Sequence, residues 1–296
     1  MGTPAFAVPT LQKLIEAGYE IVAVVTAPDR LGGRGKNQLL ESDVKKFAAE
    51  RGLLILQPEK LRNPEFVQTL QDLQPDLMIV VAFRMLPEMV WSIPRMGTFN
   101  LHGSLLPKYR GAAPINWAII QGEKETGVTT FLLDKAIDTG QILLQQSIPI
   151  EETDNAGSLH DKMMLTGADL VLATVQQLES GTVEALAQKE EESSHAPKIF
   201  KETCQIDFTK TGRELYNFIR GLSPFPGAWT YMGNKELKIL EATFHPKQSD
   251  INPGDWAVRN QKLEYGTIDG VLEVLSLQPE GKKRMSIREF LNGYRP

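Results

Sequence analysis

The chain has 296 residues, 42% of them hydrophobic and 23% charged, with a formal net charge of −5 at neutral pH. That is apolar material for one large or two ordinary buried cores, yet no apolar run approaches the roughly 20 residues of a membrane span. The acidic balance argues against indiscriminate nucleic-acid binding, and the single cysteine, Cys204, excludes an intramolecular disulfide or a cysteine-rich zinc site. The opening stretch lacks the basic-then-apolar pattern of a secretory signal, so a cytoplasmic location is expected. The charge is uneven along the chain. Residues 1–200 carry 18 Lys and Arg against 25 Asp and Glu, whereas residues 201–296 carry 14 against 12, so basic patches for a selective RNA contact remain open.

In chain order, residues 8–18 predict a helix closed by Gly18, and residues 20–26 a buried strand. Ser42 is a good N-cap for a helix over 42–52, which Gly52 stops. A strand (53–57), a helix (63–73) and an unbroken apolar strand (75–83) follow, the last as expected where both sheet faces are covered. Residues 97–103 predict a strand and 113–122 a helix; 128–134 and 141–150 predict further strands, and 157–181 a long amphipathic helix. Strands alternating with helices indicate an α/β fold with a doubly wound, mainly parallel sheet, whose ligands sit at the carboxyl ends of the strands. The pattern then changes. Residues 187–200 are polar, acidic and helix-breaking, and predict a linker. A helix over 211–222 and several short strands separated by turn residues predict a smaller β-barrel domain of OB-like type over 201–296, after a first domain over 1–186.

The chemistry-bearing stretch runs from Phe99 to Pro114. Asn100 and His102 are two apart on a predicted strand, so their side chains share one face just before a turn at Gly103. An amide donor and an imidazole there could cradle a developing oxyanion and handle a proton, or could simply satisfy a strand terminus. A tight loop from Leu133 to Gly140 offers two carboxylates, Asp134 and Asp138, either of which could pair with His102 or cap the turn; spacing does not choose between them.

The run Asn100-Leu101-His102-Gly103-Ser104-Leu105-Leu106-Pro107, followed by Asp138-Thr139-Gly140, resembles the folate-dependent formyltransferases. The resemblance implies that Asn100, His102 and Asp138 form the catalytic trio, selecting Asp138 over Asp134. It also implies that Ser104, Leu105, Leu106 and Pro107 line the site of the co-substrate, 10-formyltetrahydrofolate, with no metal ion. A narrower resemblance, to members whose acceptor is the methionine amine of initiator methionyl-tRNA, covers nearly the whole chain. It rests on Gly2-Thr3-Pro4, Pro28-Asp29-Arg30 with Gly33-Arg34-Gly35-Lys36, Arg110-Gly111-Ala112-Ala113-Pro114, and the second-domain run from Gly221 to Trp229. It implies a loop carrying Arg34 and Lys36 that enters the acceptor stem, with Arg34 the tRNA-reading residue. Lys198, Lys201, Lys282, Lys283 and Arg284 are expected at phosphates, where they give salt-dependent affinity with little sequence information. The protein is expected to act as a monomer.

Two positions depart from that pattern. Relatives carry a short apolar strand before Gly-Thr-Pro, whereas here Met1 abuts Gly2, so an upstream start or an empty sheet position is expected. Arg84 stands where many relatives have glycine. His160, His195 and His245 read as capping or surface groups, and Met163 and Met164 as packing. Three rivals stay open: a formyltransferase acting on an amino sugar or other amine, a non-catalytic RNA-binding protein, and a nucleotide-dependent oxidoreductase. The last is weakened because Gly2-Thr3-Pro4 lacks the further glycines of a dinucleotide fingerprint.

Overall fold

The structure, a computed structural model, describes residues 1–32 and 38–293. Arg34 and Lys36 lie outside the described residues. The chain forms two compact units that interleave along the sequence.

The first unit gathers Met1–Arg110, Gly127–Ile148 and His160–His195. Its helices start where the sequence provides caps: Ser42 Oγ accepts Lys45 N at the head of Asp43–Ala49, and Asn63 Oδ1 accepts Glu65 N at Pro64–Asp72. Strands Val24–Val25 and Ile55–Leu56 pair in parallel. A second sheet runs in the order Met78–Val81, Thr98–His102, Glu125–Leu132, Ile142–Pro149, with its first pair parallel and its second antiparallel. The 25-residue helix Ala156–Ser180 covers one face: Leu101 packs against Gly167, where a Cβ would come within 2.7 Å of the leucine side chain. Arg30–Gly32 and Gln38–Leu40 pair in antiparallel fashion, which the sequence pattern did not disclose.

Residues 1 and 2 bridge the two parallel groups. Gly2 N donates to Val25 O (3.0 Å) and Val81 N to Met1 O (2.9 Å). Beside them is an apolar cavity of about 150 Å³ whose walls include Leu14, Val22, Val24, Leu77 and Ile79. The apolar run 20–26 yields only a two-residue strand, Val24–Val25, and Gly2 meets Val81 in a single parallel bridge.

The second unit gathers Gly111–Thr126, Pro149–Leu159 and the chain from Ala196 onward. Its antiparallel sheet runs Ala228–Met232, Lys235–Pro246, Gly270–Pro279, Lys262–Thr267, Trp256–Arg259, with Met285–Ser286 paired to Gly270–Pro279. Irregular register at Ile239, Glu241 and Ala242 marks a bulge in the longest strand, a feature that bends and twists a sheet. Helix Gly212–Gly221 opens with a capping box between Thr211 and Glu214 and buries Leu215 and Ile219 with Tyr265 and Leu272. Helix Pro114–Ile120 joins this unit because Gly221 lets its backbone approach: Asn116 Nδ2 donates to Gly221 O at 2.7 Å, and a Cβ on Gly221 would meet Ile120. The closing helix Ile287–Gly293 was not anticipated from the sequence.

As an α-amine, the Met1 nitrogen donates to Ile79 O at 2.7 Å and burial pushes its pKa down to about 5. Such an amine titrates near 8 when unfolded. The unfolded chain therefore binds more protons between about pH 5 and 8, and this group makes stability rise with pH across that window. Urea titrations at the two ends of the window should show stability higher at pH 8 than at pH 5 by this contribution, and equal stability would contradict it.

Candidate active site

The strand Thr98–His102 sets the site. Phe99 and Leu101 are buried; Asn100 and His102 project on the other face, opposite Phe131 and Thr129 of the antiparallel neighbour. The Asn100 side chain is half-buried and makes no hydrogen bond to another described residue. His102 is buried, edge-on to the Phe131 ring at 6.4 Å.

Both imidazole nitrogens are specified. Nε2 lies 2.9 Å from Tyr109 O. A carbonyl only accepts, so Nε2 carries a hydrogen in every protonation state of the ring. Nδ1 is then the nitrogen that gains and loses a proton, and it faces Asp138 Oδ2 at 3.8 Å. The tautomer is thus set by a backbone contact rather than by the carboxylate.

Asp138 sits at φ 56°, a left-handed conformation that aspartate tolerates better than most residues. Two residues on, Gly140 lies so close to Leu132 that a Cβ would run into the Leu132 carbonyl oxygen. The Asp-x-Gly spacing therefore reflects a turn that doubles tightly back on the preceding strand. Asp134, the other carboxylate left open by the sequence, instead accepts Lys135 N at 2.6 Å.

The stretch expected to line the folate site is held by its own polar groups. Ser104 is fully buried and its hydroxyl donates to Lys108 O at 2.6 Å. Leu106 packs on Phe131 and Ile142. Thr129 Oγ1 donates to Ser104 O (2.6 Å) and accepts Leu106 N (3.1 Å), and Gln145 Nε2 donates to Thr129 Oγ1 (3.0 Å) and Leu106 O (2.8 Å). Leu105 and Pro107 are half-buried. Arg84 turns its guanidinium to neighbouring chain, donating to Glu59 O at 2.8 Å and to Pro58 O.

The remaining basic candidates lie in the second unit. Lys201 pairs with Glu236 at 2.7 Å, and Arg284 with Glu241 at 3.4 Å. Lys198, Lys282 and Lys283 are exposed, the first 5.4 Å from the Phe200 ring. Cys204 is buried and donates to Phe200 O, and burial pushes its thiol pKa up, which suits packing rather than nucleophilic attack. His160 bonds Asp161 and His245 bonds Glu273, as expected of surface groups, and Met163 is fully buried. Sequence reasoning missed Thr129, Gln145 and Tyr109. Two are ordinary strand residues and the third acts through its backbone, so no side-chain pattern marked them. No described helix is long and apolar enough to cross a membrane.

Residues 1–175 match the family model described as formyl transferase, and residues 198–295 the one described as formyl transferase, C-terminal domain. The methionyl-tRNA formyltransferase of Phocaeicola vulgatus is 52% identical over 308 residues, covering 100% of this chain and 94% of its own. That of Bacteroides fragilis is 50% identical over 304 residues, covering 99% and 94%. Among solved structures, an N-formyltransferase from Helicobacter canadensis in complex with folinic acid and dTDP-3-aminofucose gives a TM-score of 0.71 at 22% identity over 94% of this chain and 97% of its own. WlaRD, a sugar 3N-formyl transferase, gives 0.69 at 22% over 95% and 97%. At that identity the two structures speak to the fold.

Replacing Thr129 by valine keeps the shape but strips the hydroxyl from between Ser104 O, Leu106 N and Gln145. With buried partners left unsatisfied, the expected loss is about 2–3 kcal/mol in urea denaturation. A loss below about 0.5 kcal/mol would show that the loop does not depend on that hydroxyl.

Proposed function

The chain belongs to the methionyl-tRNA formyltransferase family, and from that premise we propose that it moves a formyl group from 10-formyltetrahydrofolate to the α-amine of the methionine esterified to initiator tRNA. The observation that supports this most is the pairing of His102 Nδ1 with Asp138, beside Asn100 on the same strand face. The neutral amine attacks the formyl carbon and a new C–N bond forms while the carbonyl π electrons move to oxygen. Asn100 donates to that oxygen, and protonated His102 adds positive charge beside it. Asp138 stabilises the imidazolium and helps move the proton that the attacking nitrogen sheds, through water where the distance requires it. Collapse restores the carbonyl, breaks the bond to N10 of the folate, and returns a proton to that nitrogen. No side chain becomes covalently bound.

Residues 1–186 carry the chemistry and residues 201–296 add tRNA contacts; of the stretch between them, read from composition as a linker, residues up to His195 pack in the first unit. Leu105, Pro107 and the backbone of 104–107 form the folate side of the site, with Ser104 and Leu106 holding that backbone in place. Arg34 and Lys36 enter the acceptor stem. Lys198, Lys282 and Lys283 meet phosphates, as do Lys201 and Arg284, which must then exchange Glu236 and Glu241 for the nucleic acid.

Labelled-formyl transfer to charged initiator tRNA, with elongator methionyl-tRNA and an amino-sugar nucleotide as competing acceptors, tests this directly. Transfer to initiator tRNA is expected to dominate. His102→Ala and Asn100→Ala should each lower kcat about 100- to 1,000-fold while tRNA affinity holds. Undiminished turnover in His102→Ala, or preference for the sugar, contradicts the reading.

A further inference from the structure

Two polar side chains outside the expected trio close a ring of bonds around it. Arg110 is buried, 5% exposed, although its guanidinium is always charged. Its Nε and Nη2 donate to Gln188 Oε1 at 3.1 and 2.9 Å, and Nη1 donates to Glu190 at 2.8 Å, which holds the Glu190 carboxyl below its usual range. Gln188 spends its own amide on the Asp138 turn, with Nε2 donating to Asp138 O (2.9 Å) and Gly140 O (2.8 Å). Register explains the fit. Leu186 and Ile142 exchange backbone hydrogen bonds at 2.8 Å in an antiparallel bridge, which sets residue 188 opposite residue 140.

Arg110 directly follows Tyr109, whose carbonyl fixes His102 Nε2. Tyr109 and Arg110 are tied to the same segment as Gln188: Tyr109 N donates to Ser194 Oγ and Arg110 N to Ser194 O, both at 2.9 Å. One amide thus joins the peptide that holds the histidine to the turn that holds the aspartate. The Gln188 amide uses its donor nitrogen on carbonyls and its oxygen on the guanidinium fork, so neither atom is left to do other work.

We propose that Gln188 and Arg110 are positioning residues that set the His102–Asp138 separation; this rests on the catalytic reading given above. Neither touches the reacting atoms. A shift of about 1 Å in a catalytic group is enough to cost on the order of 100-fold in rate. Gln188→Ala removes the joint. Gln188→Glu keeps an acceptor for Arg110 but sets a carboxylate against two carbonyl oxygens, so it separates support of the fold from support of the turn.

The experiment is a double-mutant cycle in the full-length protein, reading kcat and KM for both substrates, with melting midpoints as a fold control. Gln188→Glu and Gln188→Ala should each lower kcat roughly 10- to 100-fold with little change in KM for folate or tRNA. Asp138→Ala should lower kcat at least as far, and adding Gln188→Ala to it should cost no more than about twofold further, because the joint then has nothing left to position. Fully multiplicative losses, or Gln188 variants at wild-type kcat while Asp138→Ala is impaired, overturn the positioning role alone. Undiminished kcat in Asp138→Ala overturns the catalytic reading, and this proposal with it. If Gln188→Ala proves unfolded, the same cycle run with Gln188→Glu decides.

Discussion

A buried imidazole gripped at one nitrogen by a backbone carbonyl is the constraint on which this site depends. The Tyr109 carbonyl lies 2.9 Å from His102 Nε2 and obliges that nitrogen to carry hydrogen. That leaves Nδ1 facing the Asp138 side. The ring itself is buried, at 6% exposure. A histidine free to flip would lose the distinction between the nitrogen held by Tyr109 and the one that faces Asp138.

Holding that carbonyl in place takes several segments far apart in sequence. The strand end supplies Asn100 and His102; the loop 103–109 brings the chain back under the ring, pinned by Thr129 and Gln145 from two neighbouring strands. The Asp138 turn closes over it through a left-handed residue and a glycine that no side chain could replace. The arrangement is backbone-rich. Of the bonds that fix the loop and the turn, most have a main-chain atom at one end, which makes the geometry depend on chain path as much as on side-chain identity.

Much of this was legible in the sequence, for identifiable reasons. Ser42 announced a helix start because a capping side chain acts locally, whereas the caps at Asn63 and Thr211 emerge only from the structure. Period-two spacing placed Asn100 and His102 on one face before any partner strand was known. The choice between Asp134 and Asp138 was not legible from spacing, since both lie in one short loop and only the left-handed turn decides which carboxylate points at the ring. Gln188 was hidden for a different reason. It sits in a polar, acidic stretch whose composition reads as linker, and its importance comes from a two-residue bridge, Leu186 to Ile142, that propensity does not encode. The antiparallel pair Arg30–Gly32/Gln38–Leu40 escaped notice because its strands are only three residues long.

An amide, an imidazole and a carboxylate meeting at one carbonyl carbon should be visible in a crystal structure with a non-transferable formyl-folate bound. The formyl oxygen should lie about 3 Å from Asn100 Nδ2, with the formyl carbon close enough to His102 for an attacking nitrogen to sit about 3–3.5 Å from that carbon, on the Nδ1 side. A formyl group bound elsewhere, with Asn100 and His102 Nδ1 turned to other partners, would rule out this chemistry.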